Sequence, residues 1–580
     1  MGGRMAWGDY DNDGNLDLVV AASTNGILSG TRFRLYLNNN GTFTGFMPPE
    51  PSDDISGSVA WADYDNDGDL DLAVIGWLLS SGQITCRVYK NNGLGGFSGY
   101  IEPLPGWGIS GTMVWVDFDN DGDLDLSVSG DTNSGLIFRI FINDGSGSFT
   151  NHTDPFGWGF SGNYSLAWGD YDNDGDQDLA MAGTTNGGGG ALKCRVYRND
   201  GFGNLSNYVE PEFAWGVWFT SVAWGDYDND GYLDLAVMGQ DVTTERLRVF
   251  KNNQDGTFNG YVEPKPGWGI DSGSLAWGDL DNDGDLDLAV SGYDGSTRRF
   301  LYFENNNDGT FNTNEIEPEP GHGVSECPVT CGDFDNDGDL DIAAFGFETF
   351  GVYWFRVYKN TTNVVNNPPN IPAGLKAMDV SGYWRFSWSA SSDDHSDQNI
   401  LQYQIAIGTN QSGRYDYTSD IIHYPQGQVN IGNVPQGWKG STCYYQSKIP
   451  VEKKAYWKVC AIDSALKSSG YSGEQIAQII NIETNIENCL ENVIMTPNPF
   501  NPSKSKYPYV TFFHLPDDIK ITIYDILNKE LNVLRAPDQN HRIRWDIKDS
   551  DGQDLPRGVY IVHFKDGQGR TRIQKIVIQR

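Results

Sequence analysis

The sequence predicts an all-β chain, a seven-bladed β-propeller followed by two β-sandwich domains. Three observations predict it. A nine-residue acidic motif recurs seven times at intervals of 53 to 56 residues. Each copy lies between two alternating apolar runs of strand length. Gly, at 70 of 580 residues, and aromatics, at 13%, suit short strands and tight turns.

The motif first reads Asp9-Tyr10-Asp11-Asn12-Asp13-Gly14-Asn15-Leu16-Asp17 and begins again at Asp63, Asp117, Asp170, Asp226, Asp279 and Asp333. In the second copy Ser58-Val59-Ala60-Trp61 precedes it and Leu70 to Ile75 follows, two strands joined by the acidic turn. Cys86 to Lys90 makes a third strand, and a short fourth lies around Phe97. Four strands in such a unit describe one blade, and seven blades closed on one another over residues 1–362 leave no sheet edge open. The fourth strand is expected in only six copies, at Phe43, Phe97, Phe149, Leu205, Phe258 and Phe311, because the seventh runs from Lys359-Asn360 into Thr-Thr-Asn-Val-Val-Asn. Propellers commonly borrow a missing outer strand from the other terminus. The expectation is therefore an N-terminus truncated upstream of Met1, with a signal peptide lost alongside the strand.

Each motif places Asp at positions 1, 3, 5 and 9, Asn at 4 and Gly at 6. Four carboxylates in nine residues repel one another unless a hard cation lies between them, and Ca²⁺ takes about six to eight oxygens. The candidate ligands are Asp9, Asp11, Asp13, Asn15 (through its carbonyl) and Asp17 in the first copy, then Asp63, Asp65, Asp67, Asp69 and Asp71. They continue with Asp117, Asp119, Asp121, Asp123 and Asp125, and with Asp170, Asp172, Asp174, Asp176 and Asp178. The fifth copy offers Asp226, Asp228, Asp230, Tyr232 and Asp234, the sixth Asp279, Asp281, Asp283, Asp285 and Asp287, and the seventh Asp333, Asp335, Asp337, Asp339 and Asp341. Gly at position 6 permits the sharp turn. The loop is not an EF-hand, since the twelfth position is apolar (Val20) and strands flank it. Polar Asx turns are the plain alternative, but seven identical Asp sets are a costly way to make turns. Up to seven Ca²⁺ would take the formal charge from −38 to −24, and their removal should loosen the fold.

These residues resemble the FG-GAP or VCBS repeats, best known from the propeller of integrin alpha subunits, over residues 1 to about 360. The resemblance implies a metal between the first and second strands of each blade and a role in extracellular recognition. The ligand, a glycan or a protein, is left open.

A Trp-Gly motif follows the fourth strand, giving Trp107, Trp158, Trp215 and Trp268, with His322 in the last place. These residues either pack between blades or form a ligand-binding ring on the face opposite the acidic turns. A second series, Trp7, Trp61, Trp115, Trp168, Trp224 and Trp277, replaced by Cys331, lies in the first strand and reads as core. No catalytic residue is assigned. His152, His322, His395, His423, His514, His541 and His563 are scattered, and neither a nucleophile elbow nor a zinc helix occurs. A polysaccharide lyase or hydrolase is the alternative; it requires basic residues or Tyr to converge with the Trp face, and Tyr293, Arg298 and Arg299 are the one such group on a loop.

Composition shifts at Asn366-Asn-Pro-Pro-Asn-Ile-Pro372, a stiff linker. Residues 368–482 then carry alternating strands at Trp384–Trp388, Leu401–Ile407 and Ala455–Asp463 and resemble a fibronectin type III domain. Cys443 and Cys460 are a possible disulfide there; Cys86 and Cys194 stand where other copies hold apolar residues and read as core. Residues 488–580 open with Thr496-Pro-Asn-Pro-Phe-Asn-Pro502 and contain Gly558-Val559-Tyr560. They look like the C-terminal sorting domain of bacterial type IX secretion, itself similar to the immunoglobulin-like domain of the flagellar hook-capping protein. That implies a secreted or outer-surface bacterial protein handed to the secretion machinery through its tail. A formal charge of −38 repels phosphate backbones, so nucleic acid is excluded as a partner. No apolar run reaches the length of a membrane-spanning helix, and a monomer is expected.

Overall fold

The computed structural model describes residues 4–578 without segments 24–30, 50–53, 157–158, 186–190, 326–327, 348–352, 381–382, 397–400, 409–416, 419–443, 451–453, 464–466, 478–492, 497–508, 527–528 and 538–540, and without single positions 66, 94, 120, 122, 175, 202, 313, 363, 365, 514, 517, 536 and 568. All described regular structure is β. The chain divides into two compact units, Met1–Gln478 and Ile479–Arg580.

In the first unit, seven antiparallel sheets follow one another, one for each acidic motif. The first sheet orders its strands as in the sequence: Arg4–Gly8, Asp17–Ser23, Thr31–Asn38 and Phe43–Met47. The motif always bridges the first two strands. Gly8 pairs with Asp17, Ala62 with Asp71 and Gly332 with Asp341 across it. Repeats 1 to 5 have four strands, whereas the seventh has three, Val329–Gly332, Asp341–Phe347 and Tyr353–Tyr358. The expected fourth strand of the sixth repeat is reduced to two isolated bridges, Asn305 to Phe311 and Tyr302 to Ile316. Its sequence explains this: five steps separate Phe311 from Ile316, where four separate Phe258 from Val262, and the extra polar residue breaks the ladder.

Neighbouring sheets are held by their first strands. Trp7, Trp61, Trp115, Trp168, Trp224 and Trp277 are all buried. The indole of Trp61 donates to the carbonyl of Ala6 at 3.3 Å, that of Trp224 to Ala167 at 3.2 Å and that of Trp277 to Ala223 at 3.3 Å, each reaching back one repeat. Glycine follows Trp7, Trp168, Trp224 and Trp277 for this reason: a Cβ on Gly8 would lie 2.7 Å from the Trp61 ring, and one on Gly225 2.7 Å from Trp277, whereas Ala62 and Val116 stand at this place in the second and third repeats. Gly332 of the seventh repeat meets Trp7 of the first in the same way, at 2.9 Å. Leu16, Leu18 and Trp7 share one apolar cluster with Phe334, Ala343 and Phe345. Burial of such clusters, at roughly 25 cal/mol per Å² of apolar surface, is the main favourable contribution to the fold.

The remainder of the first unit contains two sheets around one core. Ala373–Val380, Tyr383–Ser389 and Tyr444–Pro450 form one; Tyr417–Thr418, Gln402–Gly408, Ala455–Ile462 and Gln475–Ala477 form the other. Trp384, Phe386 and Trp388 pack with Tyr403, Ile405, Ile407, Trp457 and Val459. The Asn366 amide donates to Asp463 at 2.9 Å and the Lys467 ammonium donates to the Asn366 carbonyl at 2.7 Å. The His395 carbonyl lies against Gly284 and the Lys467 ammonium against Gly338, so this part sits against the acidic turns of repeats 6 and 7. Cys443 lies outside the described residues, and with it the disulfide expected at Cys460; Cys86 and Cys194 are buried.

The second unit has sheets of three and four strands around Val510, Phe512, Ile521, Ile523, Trp545, Val562 and Phe564. Most of its Pro-Asn-Pro-Phe-Asn-Pro opening lies outside the described residues.

Candidate metal centres

The chain enters each acidic turn from the first strand and reverses within nine residues. Two left-handed positions allow that. Asn at position 4 has φ near +58° (Asn12, Asn229, Asn336), which Asn tolerates, and Gly at position 6 has φ between +90° and +99° (Gly14, Gly68, Gly231, Gly284, Gly338).

Carboxylates 1 and 9 shape the turn. In the first copy Asp9 accepts the amides of Asp13 and Gly14 at 3.0 and 2.8 Å, and Asp17 accepts those of Tyr10 and Asn38 at 3.1 and 2.8 Å. Asp226 and Asp234 repeat the pattern. Position 5 accepts the amide two residues on, as in Asp13 to Asn15 and Asp230 to Tyr232. Position 3 differs. In Asp65, Asp172, Asp228 and Asp335 the Oδ1 atom is buried without a hydrogen-bond partner, although these side chains are only 6 to 10% exposed. A buried, unpaired carboxylate oxygen is costly. It is the fit that a divalent oxygen-seeking cation requires, because carboxylate oxygens of Asp9, Asp11 and Asp13 lie within 4.8 Å of one another, as do those of Asp63, Asp65 and Asp71, of Asp117, Asp119 and Asp121, of Asp170, Asp172 and Asp178, and of Asp226, Asp228 and Asp230.

The electrostatics agree with that geometry. Burial, above all, outweighs the backbone hydrogen bonds, and neighbouring carboxylates add to it, so Asp9 is pushed up to about 7, Asp17 to about 8 and Asp178 to about 9. Asp71, Asp125, Asp234 and Asp287 are raised well above the ordinary carboxylate value by the same causes.

Position 7 serves the neighbouring loop. Asn12 donates to Asp69 at 2.8 Å, Asn229 to Asp285 at 2.6 Å, Asn282 to Asp339 at 2.7 Å and Asn336 to Asn15 at 2.9 Å. These side chains thus tie one turn to the next, and Asn15 also donates to Asp13 of its own turn at 2.8 Å. Sequence reasoning also missed the Asn that ends every third strand. Asn91 donates to the carbonyls of Leu70 in its own loop and Tyr10 in the preceding one, at 3.0 and 2.8 Å. Asn143, Asn199, Asn252, Asn305 and Asn360 do the same, and Asn38 donates to Phe334 of the seventh repeat at 2.7 Å. Its presence in all seven copies was the available signal.

On the opposite face, the repeated Trp residues are packed. Trp107 lies 5.4 Å from Phe141, Trp215 5.3 Å from Phe250 and Trp268 5.8 Å from Phe303, all on third strands. Trp158 lies outside the described residues, and His322 sits 3.8 Å from Glu319. Basic groups do converge there, Arg139 over Trp107 and Arg248 over Trp215, but Arg139 pairs with Asp154 at 2.7 Å and Arg248 with Glu212 at 2.5 Å. Arg299 pairs with Asp294 and Glu317, Arg298 lies over Phe347, and the Tyr293 hydroxyl donates to the Gly295 carbonyl. Other aromatic side chains face solvent: Phe213 is 91% exposed and Trp218 and Phe219 38% and 39%, while Phe46, Trp77, Tyr100, Tyr208 and Tyr261 are exposed elsewhere among the described residues. Trp218 pairs with Gln240, the end of the sheet remote from the acidic turn, and Phe219 holds a strained φ of +50°.

Comparisons with known proteins agree with two parts of this organisation. The FG-GAP-like repeat model matches residues 9–74, 117–181, 182–237 and 239–290, and the secretion system C-terminal sorting domain matches residues 497–579. No curated protein matches the chain. Among solved structures it is similar to the Tc holotoxin pore of Photorhabdus luminescens, at 12% identity over 97% of this chain and 22% of that one, with a TM-score of 0.32, so this chain spans about a fifth of the toxin chain's length. It is also similar to PorZ, a surface component of the type IX secretion system of Porphyromonas gingivalis (13% identity, 99% of this chain and 92% of that one, TM-score 0.16), and to the V. cholerae biofilm matrix protein Bap1 (13%, 99% and 80%, TM-score 0.25). No helix is long and apolar enough to cross a membrane among the described residues. The chain thus carries FG-GAP-like repeats and ends in a type IX secretion sorting domain, the mark of a secreted or cell-surface bacterial protein.

Proposed function

We propose that the seven sheets are the blades of a closed propeller that binds up to seven Ca²⁺ and presents a recognition face for an extracellular glycan or protein. A fibronectin-like spacer and the sorting tail complete the chain in this reading. Closure is supported by the Asn38 bond to Phe334 and by Trp7 resting on Gly332. The observation that carries the calcium reading is the buried, unpartnered oxygen of Asp65, Asp172, Asp228 and Asp335. Calcium would be held by the loop carboxylates, and it would offset their mutual repulsion. The recognition surface is then the opposite face, where Phe213, Trp218 and Phe219 are exposed.

The test is native mass spectrometry of the purified chain for bound calcium, with a glycan array run in calcium and in chelator. Bound calcium and calcium-dependent retention of a defined glycan support the reading. A chain that takes up no calcium at millimolar concentration refutes it, and a retained glycan that changes mass would mark an enzyme instead.

A further inference from the structure

The seven turns differ in one respect. The residue before the Asn that ends each third strand is basic in four repeats: Lys90, Arg198, Lys251 and Lys359. Each of these grips carboxylates 3 and 5 of its own turn. Lys90 pairs with Asp65 and, at 3.2 Å, with Asp67; Arg198 pairs with Asp172 at 3.1 Å and Asp174 at 2.6 Å. Lys251 pairs with Asp228 and, at 3.5 Å, with Asp230; Lys359 pairs with Asp335 and, at 3.4 Å, with Asp337. In every case the base takes Oδ2 of position 3, leaving its Oδ1 as the buried, unpartnered oxygen. In repeats 1, 3 and 6 the same strand position holds Leu37, Ile142 and Glu304. Glu304 adds a further negative charge beside Asp281.

Resting on the calcium reading above, we propose that the turns form two classes. Those at 63–71, 170–178, 226–234 and 333–341 are clamped by a resident base. Those at 9–17, 117–125 and 279–287 carry Leu37, Ile142 and Glu304 in place of that base and rely more heavily on calcium for cohesion. The clamp supplies part of the counter-charge and fixes position 3 with one oxygen aimed at the cradle, so a clamped turn keeps its shape without metal. It also sets a positive charge close to the metal position, which lowers calcium affinity by roughly tenfold or more. The order matters mechanically. Every unclamped repeat in the chain has clamped repeats on both sides, if the seventh is followed by the first. Loss of calcium would then loosen three separated turns and leave the ring assembled.

The experiment is peptide-resolved hydrogen exchange on the full chain with calcium chloride and with chelator, alongside a calorimetric calcium titration. Chelation should raise exchange about tenfold or more at 9–17, 117–125 and 279–287 and less than about threefold at the other turns, and the titration should resolve tight and weak sites in a ratio of three to four. Lys251→Met should make the turn at 226–234 chelator-sensitive while its calcium affinity rises; Lys251→Arg should leave it clamped. Leu37→Lys should make the first turn chelator-insensitive, a gain that misfolding cannot imitate. Bound calcium with an equal response of all seven turns, or no effect of Lys251→Met, overturns the two classes and leaves calcium binding standing. No bound calcium at any turn overturns both.

Discussion

Replacing Asn38 with Ala isolates the contact on which ring closure turns. Its side-chain amide donates to the carbonyls of Leu16, in its own turn, and Phe334, 296 residues away, at 3.0 and 2.7 Å. Asn38 is buried, as is Asn252, which makes the equivalent bonds to Leu233 and Tyr171 at 3.1 and 2.6 Å. Each substitution leaves two carbonyls without their donor, at about 1–3 kcal/mol apiece if water does not reach them. Partial relaxation makes about 2–4 kcal/mol the reasonable total for either variant. In a unit larger than 250 residues about 1–2 °C of melting temperature follows each kcal/mol, so both should fall by roughly 2–8 °C. The assay is calorimetry in saturating calcium on the two variants side by side, because the comparison cancels errors in the absolute scale. If repeats 1 and 7 meet in solution as repeats 4 and 5 do, Asn38→Ala costs as much as Asn252→Ala. An Asn38→Ala shift below a third of the other would refute closure, since water would then already solvate the Phe334 carbonyl.

Three further outcomes follow from the same structure. Gly332→Val would drive its side chain into the Trp7 ring, 2.9 Å from the first added carbon, and should cost about 1–3 kcal/mol, with a lowered urea midpoint that Trp7→Phe partly restores. In chelator, stability should fall as pH rises from about 4 and level off near 9. Asp9, Asp17 and Asp178 have folded-state values of about 7, 8 and 9 against 3.8 unfolded, so their contribution is complete below 3.8 and is lost as they ionise; melting temperatures across that range check it, and added calcium should remove the decline. Trp215→Ala should lower the melting temperature with glycan retention intact, through loss of its contact with Phe250, whereas Trp218→Ala should abolish retention with little effect on melting.

The acidic turns were legible because all their chemistry falls within nine contiguous residues. Asp9, Asp11, Asp13 and Asp17 announce an oxygen cradle by spacing alone, and Trp7, Trp61 and Trp115 announce a core by alternation. The contacts joining one repeat to the next were not legible, because they link residues about 80 positions apart. Asn91 looks like a turn residue until the Tyr10 carbonyl is found beside it. The position-7 carboxylates have a partner that spacing does not show for the same reason: one oxygen of Asp69 accepts from Asn12 of the preceding turn. Lys90 stands 25 residues beyond Asp65, with which it pairs, and reads in sequence as a solvated strand end. Spacing reports local geometry, whereas pairing across strands must be seen.

The same distinction bears on where a ligand would dock. A residue that recurs in every copy answers a need that every copy has. The repeated Trp-Gly fills a repeated hole, over Phe141, Phe250 and Phe303, with an Arg or Lys near each indole. Phe213, Trp218 and Phe219 occur together in one connection only, and nothing in the architecture of the other repeats calls for them. Exposing that much aromatic surface is unfavourable in water unless something covers it. Phe219 sits at a bulge where Ser272 of the next repeat also has a positive φ, +52°, so the backbone turn belongs to the architecture while the 39% exposed ring on it does not. Phe213, Trp218 and Phe219 are therefore the side chains on which the proposed recognition surface is best tested, with Trp215 as the packed control.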